Sequence, residues 1–257
     1  GVSDLLETKG YLLSVLDSQD DPERQRRQLE AFIRSSRGGL LWVPAHDTPD
    51  ASYELLRTHK IPTVTFLRSA DAAEFDHVGI LNAEATFTAT NHLLDLGHTE
   101  IAFLGGKVDV EVRNQRIAGY ERALTERGLK PATIWESRDD KLSGLEEMIA
   151  LHKKHPEVTG VVCNGDMVAL GACIASSKMG LQPGQDISIV GFDDIIDAAV
   201  ATPPLTTMAV SPYQLGRRLA RVMLERIQEP LAPTAVSEVS AELIVRKTTG
   251  PCLVNAD

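Results

Sequence analysis

The chain has 257 residues, of which 43% are apolar and 24% charged, as is usual for a globular protein of one or two domains. Lys and Arg number 26 against 36 Asp and Glu, so the formal net charge is −10 and these residues alone are not expected to bind nucleic acid. No apolar stretch is long enough to cross a bilayer and no signal-peptide pattern is present, so we expect no contact with a membrane.

The sequence also argues against an enzyme. It has no phosphate-binding glycine loop, no nucleophile elbow and no metal-binding histidine motif. Its three cysteines, Cys163, Cys173 and Cys252, lack metal-type spacing and indicate a reduced, cytoplasmic compartment. We therefore expect no catalytic residue, no metal and no cofactor.

The first part of the chain alternates strands and helices. Residues 1–9 are predicted to end a helix at Gly10, and Pro22 to begin another. Further helix is predicted at 49–59, and short apolar strands at 11–17, 40–43, 62–67 and 77–81. This order is typical of a doubly wound parallel α/β sheet.

A second lobe of the same type is predicted to follow. Its predicted strands are 100–105, 133–136, 158–163 and 187–192, and its predicted helices 84–96, 114–127, 142–155 and 167–179. The chain should then return for a helix at 212–228 and cross over again near Ser240. The predicted domains are 1–80 with 210–239, and 81–209 with 240–257.

The strand 187–192 ends in two acids, Asp193 and Asp194. In an open α/β sheet the carboxyl ends of the strands form the rim of the ligand crevice. Each acid therefore either contacts a ligand or caps the next turn; the first role is favoured for Asp193 and the second for Asp194. An irregular turn is predicted before Pro203 and Pro204, which would stop a helix.

This stretch, VGFDD followed by PPLTT, resembles the effector-binding core of the lactose-repressor (LacI/GalR) family of bacterial transcriptional regulators. Similar motifs occur in the same order over nearly the whole chain: NHLLDLGHTEIAFLGG, RIAGY, VVCNGDMVALG and ELIVRK. The resemblance implies two lobes of the periplasmic-binding-protein type, joined by crossovers that act as a hinge. It also implies a sugar or sugar derivative in the cleft between them. The family's fold further begins with a strand ahead of the first helix, which we expect to lie outside these residues.

The resemblance assigns two charged side chains to the effector. Asp193 is implied to accept hydrogen bonds from it, and Arg116, in RIAGY, to grip it with its planar fork of donors. A salt bridge from Arg116 to Asp109 or Glu111 is the alternative. Arg113 is expected to face solvent.

Asn164 is a further candidate contact, although the family places its asparagine directly before Asp166, where this chain has Gly165. Asp166 itself is predicted to be the N-cap of the helix that follows.

Arg68 ends a predicted strand where the family often has an acid. It either reads an acidic sugar or phosphate, or pairs with Asp71 or Glu74. Together with Arg116 it favours an anionic effector. Trp42 lies in an apolar strand and is expected to pack in the core rather than to stack on a sugar.

In the family, the helix predicted at 167–179 contributes to dimer contacts, and its small apolar face fits that role. The resemblance thus implies a homodimer whose operator DNA is bound only by a helix-turn-helix domain outside these residues. A periplasmic sugar-binding protein of a transporter is the alternative, which an upstream helix-turn-helix would exclude.

Overall fold

A computed structural model of the chain describes residues 1–35, 38–69, 74–108, 110–130 and 133–253. It contains two compact units. Unit 1 comprises Gly1–Ile80 and Ser211–Val239, and unit 2 comprises Leu81–Val210 and Ser240–Asp257.

The elements are numbered in chain order. The strands are β1 (Leu40–Trp42), β2 (Thr63–Phe66), β3 (Asp76–Ile80), β4 (Ile101–Leu104), β5 (Thr133–Trp135), β6 (Gly160–Cys163), β7 (Ser188–Asp193), β8 (Thr206–Ala209), β9 (Val236–Val239) and β10 (Glu242–Ile244). The helices are α1 (Val2–Glu7), α2 (Pro22–Ser35), α3 (Asp50–Thr58), α4 (Asn82–Asp95), α5 (Glu111–Glu126), α6 (Lys141–Lys154), α7 (Asp166–Lys178), α8 (Ile196–Val200) and α9 (Pro212–Gln228).

Unit 1 is built on a parallel sheet in the order β1-β2-β3-β9. Successive residues of β1 pack in different clusters, Leu41 with α9 and Trp42 with α2 and α3, so helices cover both faces of the sheet. Helix α9 begins where Ser211 accepts a hydrogen bond from the Gln214 backbone N–H and Pro212 takes the first helical position.

The prediction of a strand at 11–17 is wrong. These residues form neither helix nor strand and belong to neither sheet, and several of their apolar side chains face solvent; Leu12 is 91% exposed. Their apolar composition favours a strand, but a strand needs a hydrogen-bonded neighbour, and among the described residues β1 pairs only with β2.

Unit 2 holds a sheet in the order β10-β8-β7-β6-β4-β5, in which only β10 runs antiparallel to its neighbour. Strands β4 and β6 are buried along their whole length, as their continuous apolar runs predict. Both units thus have the mixed α/β, mainly parallel architecture that the sequence predicts.

Most predicted elements are present with their ends shifted by a few residues. The exception in unit 2 is the turn after Asp194, which was predicted to be irregular and instead contains the short helix α8, anchored by the fully buried Ala198.

Within the described ranges, no helix combines the length and hydropathy needed to traverse a bilayer. The same ranges contain no cluster of three or more His, Cys, Asp or Glu side chains arranged to hold a metal ion.

Candidate functional site

Four neighbouring strands of unit 2 end at one edge of its sheet, because β5, β4, β6 and β7 are parallel and adjacent. Polar or conformationally unusual residues follow each of them: Asp139 after β5, Gly105 and Gly106 after β4, Asn164 after β6, and Asp193 at the end of β7. This carboxyl edge of the unit 2 sheet is the candidate site.

Arg116 is held at this edge by three elements. Its Nε donates to the Asn82 side-chain oxygen over 2.9 Å, and its Nη1 donates to the Asn164 carbonyl oxygen. Its guanidinium carbon lies 3.6 Å from the centre of the Phe192 ring. Only 6% of Arg116 is exposed, so its position is fixed by protein contacts alone.

Of the two alternative partners predicted for Arg116, Asp109 lies outside the described residues. Arg116 bonds to Asn82 and Asn164 rather than to the other, Glu111. The three carboxylates that act on its charge are Asp193, Asp139 and Asp166, although burial outweighs them and lowers the pKa of the guanidinium.

Arg113 was predicted to face solvent, and this is wrong. It is 6% exposed, and its Nε donates to the Gly105 carbonyl oxygen over 2.9 Å. Helix α5 starts three residues earlier than predicted, which places Arg113 in its first turn, over the end of β4. At Gly106, where φ is +73°, a side chain would meet Arg113 Cδ at 2.6 Å, so glycine is needed for this approach.

Asn164 lies at the same edge and is 7% exposed. Its Nδ2 donates to Asp139 Oδ1 over 2.9 Å, while its Oδ1 has no hydrogen-bond partner in the described part of the chain. Sequence reasoning missed Asp139, which lies in the run Ser137-Arg138-Asp139-Asp140. That run follows β5 and Asn164 follows β6, and only the sheet order β5-β4-β6 brings the two together.

Asp193, at the carboxyl end of β7, is the second charged side chain of the candidate site. No hydrogen bond or ion pair to its carboxylate occurs among the residues that the structure describes, and part of its side chain is exposed. Even so, packing around the carboxylate raises its pKa; Asp139 acts in the same direction and Arg116 opposes it. Its backbone φ of +105° is unfavourable for a residue with a side chain, by about 1–2 kcal/mol.

Asp194 was expected to cap the following turn, and the structure corrects this. Its Oδ1 lies 2.7 Å from Arg246 Nη2, in an ion pair with the segment that follows β10. The residue before α8 is Ile195, and no side chain caps that helix.

Asp166 is likewise not an N-cap. It is the first residue of α7, preceded by Gly165, and is 1% exposed. Its two oxygens accept hydrogen bonds from the Ile195 backbone N–H (2.8 Å) and from the Thr207 hydroxyl (2.6 Å). Burial raises its pKa to about 6, against the effect of these two bonds.

Arg68 lies in unit 1, just after β2, and is already paired. Its guanidinium forms an ion pair with Asp20 and donates to the Pro44 carbonyl oxygen over 3.2 Å. Of the two predicted partners, Glu74 pairs instead with Arg57 at 2.7 Å, and Asp71 lies outside the described residues. Because Arg68 is paired with Asp20, it does not support an anionic ligand.

Trp42 packs in the core, as predicted. It is 4% exposed, and its ring lies 5.1 Å from that of Tyr53, edge to face.

A family model described as a periplasmic binding protein-like domain matches residues 90–249. The HTH-type transcriptional repressor PurR of Pasteurella multocida is 32% identical over 242 residues, which cover 93% of this chain and 72% of the relative. PurR of Haemophilus influenzae, strain PittEE, is 31% identical over 245 residues, covering 93% and 73%.

Solved structures agree with this relationship. The transcriptional regulator CelR in complex with cellobiose has a TM-score of 0.88 at 25% identity, covering 96% of this chain and 76% of that one. A LacI family regulator from Enterococcus faecalis V583 with bound ribose has a TM-score of 0.86 at 25% identity, covering 97% and 91%.

These relatives confirm the resemblance drawn from the motifs and favour a regulator over a transport protein. The chain belongs to the LacI family of transcriptional regulators, of which it forms the effector-binding, periplasmic-binding-protein-like part.

Proposed function

We propose that the carboxyl edge of the unit 2 sheet contacts the effector of this regulator, a sugar or sugar derivative, through Asp193, Arg116 and Asn164. The observation that carries the proposal is that a rigidly held arginine and a carboxylate without a described partner lie at the same edge of the sheet. Arg116 is fixed by Asn82, Asn164 and Phe192, and the Asp193 carboxylate on β7 next to Phe192 has no partner in the described part of the chain.

The chemistry of this edge favours a ligand that donates hydrogen bonds as well as accepting them. Asp193 and Asp139 offer carboxylate oxygens, and a hydroxyl group can donate to them while accepting from the remaining N–H groups of Arg116. An anion would be repelled by both acids. Sugars are the bound molecules named for CelR and for the Enterococcus regulator, which supports a polyhydroxylated effector here.

Arg68 forms an ion pair with Asp20, so its charge is not free to bind a ligand. Arg68 therefore contacts the effector only if the effector displaces Asp20. We expect Arg68 to be less important than Arg116.

As a regulator the chain acts in the cytoplasm as a homodimer, without catalysis, and operator DNA is bound by a helix-turn-helix domain outside these residues. The effector changes DNA binding by binding one conformation better than another, because a ligand shifts an equilibrium only by its differential affinity. The Lac repressor, whose solved structure has a TM-score of 0.86 to this chain at 23% identity, is described as dimeric, which supports this assembly.

A thermal-shift screen tests the site. The purified chain is screened against neutral sugars, sugar acids, sugar phosphates and purines, since a ligand that binds the native state raises its melting temperature. The active compounds are then tested on D193N and R116M, with D186N and R122M as controls. Asp186 is an exposed acid of unit 2, and Arg122 is a half-buried arginine on the same helix as Arg116, paired with Glu84.

We expect neutral sugars to give the shift, the site variants to lose it, and the controls to keep it. A stabilising ligand whose effect survives in both D193N and R116M would show that the site lies elsewhere. A shift produced only by sugar acids or phosphates would contradict the assigned ligand class.

A further inference from the structure

The corner between β7 and α8 has an unusual backbone. Asp193 has a φ of +105° and Asp194 a φ of +55°, so two consecutive residues with side chains lie in the left-handed region that glycine normally occupies. Such a conformation persists only where the surrounding structure holds it. The corner also sets the direction in which the Asp193 carboxylate points.

The buried side chain of Asp166 is hydrogen-bonded to the backbone at the end of this corner. Its Oδ2 accepts a hydrogen bond from the backbone N–H of Ile195, the residue directly after the corner, over 2.8 Å. Its Oδ1 accepts a hydrogen bond from the Thr207 hydroxyl on β8, over 2.6 Å. One buried carboxylate therefore connects the start of α7, the corner and the strand beside β7.

The backbone of β7 leaves room for this carboxylate. A side chain at Gly191 would meet Asp166 Oδ1 at 2.2 Å, so the glycine in the VGFDD motif allows the acid to lie against the strand. Asp166 is 1% exposed, which places it beyond direct contact with a ligand.

We propose that Asp166 is a positioning residue: its carboxylate holds the left-handed corner Asp193–Asp194 and so fixes the Asp193 carboxylate for the effector. The part of this inference that concerns the effector rests on the proposed function. The part that concerns the corner is independent of it.

The charges around Asp166 make the corner sensitive to pH. The carboxylates of Asp193 and Asp194 lie close enough to raise its pKa, as burial does. Asp166 acts in turn on Arg116 of α5 and on the Cys163 thiol at the end of β6. Arg246 is paired with Asp194, and Asp139 acts on Arg116 and Asp193. With a pKa of about 6, Asp166 gains a proton in mildly acidic solution and then offers weaker acceptors to Ile195 and Thr207.

The corner is tested without any ligand by recording the backbone amide NMR signals of residues 193–195 between pH 8 and pH 5. The wild-type chain is compared with D166N, with T207V and with the control D186N. Asp186 also accepts a backbone N–H, from Gln182 over 2.8 Å, but it lies ahead of β7, outside the site. We expect the wild type and D186N to show a common midpoint near pH 6 in these amides, and D166N to lack it.

We also expect the Ile195 amide to exchange with solvent at least tenfold faster in D166N than in D186N, and to an intermediate degree in T207V. If D166N leaves the midpoint and the exchange of Ile195 unchanged, Asp166 does not hold the corner and the inference is wrong.

A second measurement tests the link to binding, with D-ribose and cellobiose as probes in calorimetric titrations at pH 8. Where a probe binds, we expect D166N to raise its Kd about tenfold, D193N to raise it further, and D186N to leave it within twofold. A residue that serves folding alone would change stability but not Kd.

The two proposals fail in different ways. If D193N binds as the wild type does, the proposed site is wrong, and the NMR measurement alone decides the role of Asp166. If D193N weakens binding and D166N does not, the site stands and the positioning role is refuted.

Discussion

His98, in the motif GHTEI, joins the loop after α4 to three other segments of unit 2. Its Nδ1 lies 3.0 Å from the Thr159 hydroxyl, and its Nε2 lies 2.9 Å from the Ser188 hydroxyl and 3.0 Å from the Gly250 carbonyl oxygen. Burial lowers the pKa of His98, which favours the neutral ring. Because a carbonyl oxygen only accepts, Nε2 of the neutral ring carries the proton and Nδ1 accepts from Thr159.

A neutral, buried His98 makes stability depend on pH in a defined direction. Its pKa is lower in the folded than in the unfolded chain, so its contribution is present above the unfolded value of about 6.5 and is lost as pH falls through the folded value. We expect H98Q to lower the free energy of unfolding at pH 7.5 by about 2–3 kcal/mol. We also expect a smaller loss of stability between pH 7 and pH 5 than in the wild type.

Urea unfolding at a series of pH values measures both effects. The control is H59Q, because His59 is exposed in the loop after α3. Equal pH dependence in H98Q and the wild type would show that His98 is not the titrating group.

At the residue scale, the sequence identifies the groups whose position depends on local structure. The sequence predicts Asp193 as a site residue because it ends a buried strand, and Arg116 because it lies in a recognisable helical motif. The partners of Asp166 cannot be predicted from local sequence. Ile195 and Thr207 are 29 and 41 positions away and become neighbours of Asp166 only when the sheet forms. Asp139 was missed for the same reason.

At the element scale, apolar pattern predicts where helices and strands occur but not which strands pair. The segment 11–17 has the composition of a strand and forms none, because pairing depends on a neighbour that the pattern does not specify. Helix α9 was predicted with the bounds that the structure has, since Ser211, Pro212 and its apolar periodicity are all local signals.

Two arginines of helix α9 bond to the sheet of unit 1: Arg218, which donates to the Ser237 hydroxyl on β9 over 2.6 Å, and Arg226, which pairs with Asp76 on β3. Arg226 Nε and Nη2 donate to the two oxygens of Asp76 over 2.7 and 2.9 Å, and its side chain also donates to the carbonyl oxygens of the loop before β9. Asp76 is 3% exposed and also accepts the Ala235 N–H over 2.8 Å. The pair therefore sets both the docking of α9 and the entry into β9.

Removing one partner leaves a buried charge without its counter-ion. We expect R226A to destabilise unit 1 by about 3–5 kcal/mol, whereas R221A, which removes an exposed arginine of the same helix, should change stability by less than about 0.5 kcal/mol. Each unit contains one tryptophan, Trp42 in unit 1 and Trp135 in unit 2, so urea unfolding followed by fluorescence in W135F and W42F backgrounds reports on each separately. A loss confined to the Trp135 signal would contradict the assignment.

At the scale of the whole molecule, net charge and surface chemistry indicate which functions of a regulator these residues can perform. A net charge of −10 is unsuited to binding phosphate backbones, so we expect these residues to serve effector binding and assembly rather than DNA binding. An apolar surface is what assembly requires. Unit 2 has such a surface in a groove of about 570 Å³ between α7 and the segment of α8, lined by Leu170, Ile174 and Val200 and bordered by the Lys141–Asp197 ion pair.

We expect this groove to form part of the homodimer contact. Ile174 is 45% exposed and Val200 73% exposed, and covering such side chains is favourable at about 25 cal/mol per Å² of apolar surface. I174D places a charge in the groove, where a dimer would have to desolvate it, so it should weaken dimerisation at least tenfold in sedimentation experiments at micromolar concentration. The control is I149D on α6, whose isoleucine is 37% exposed and does not line the groove. Equal weakening by both variants, or by neither, would place the dimer contact on another surface, because only a contact through the groove separates them.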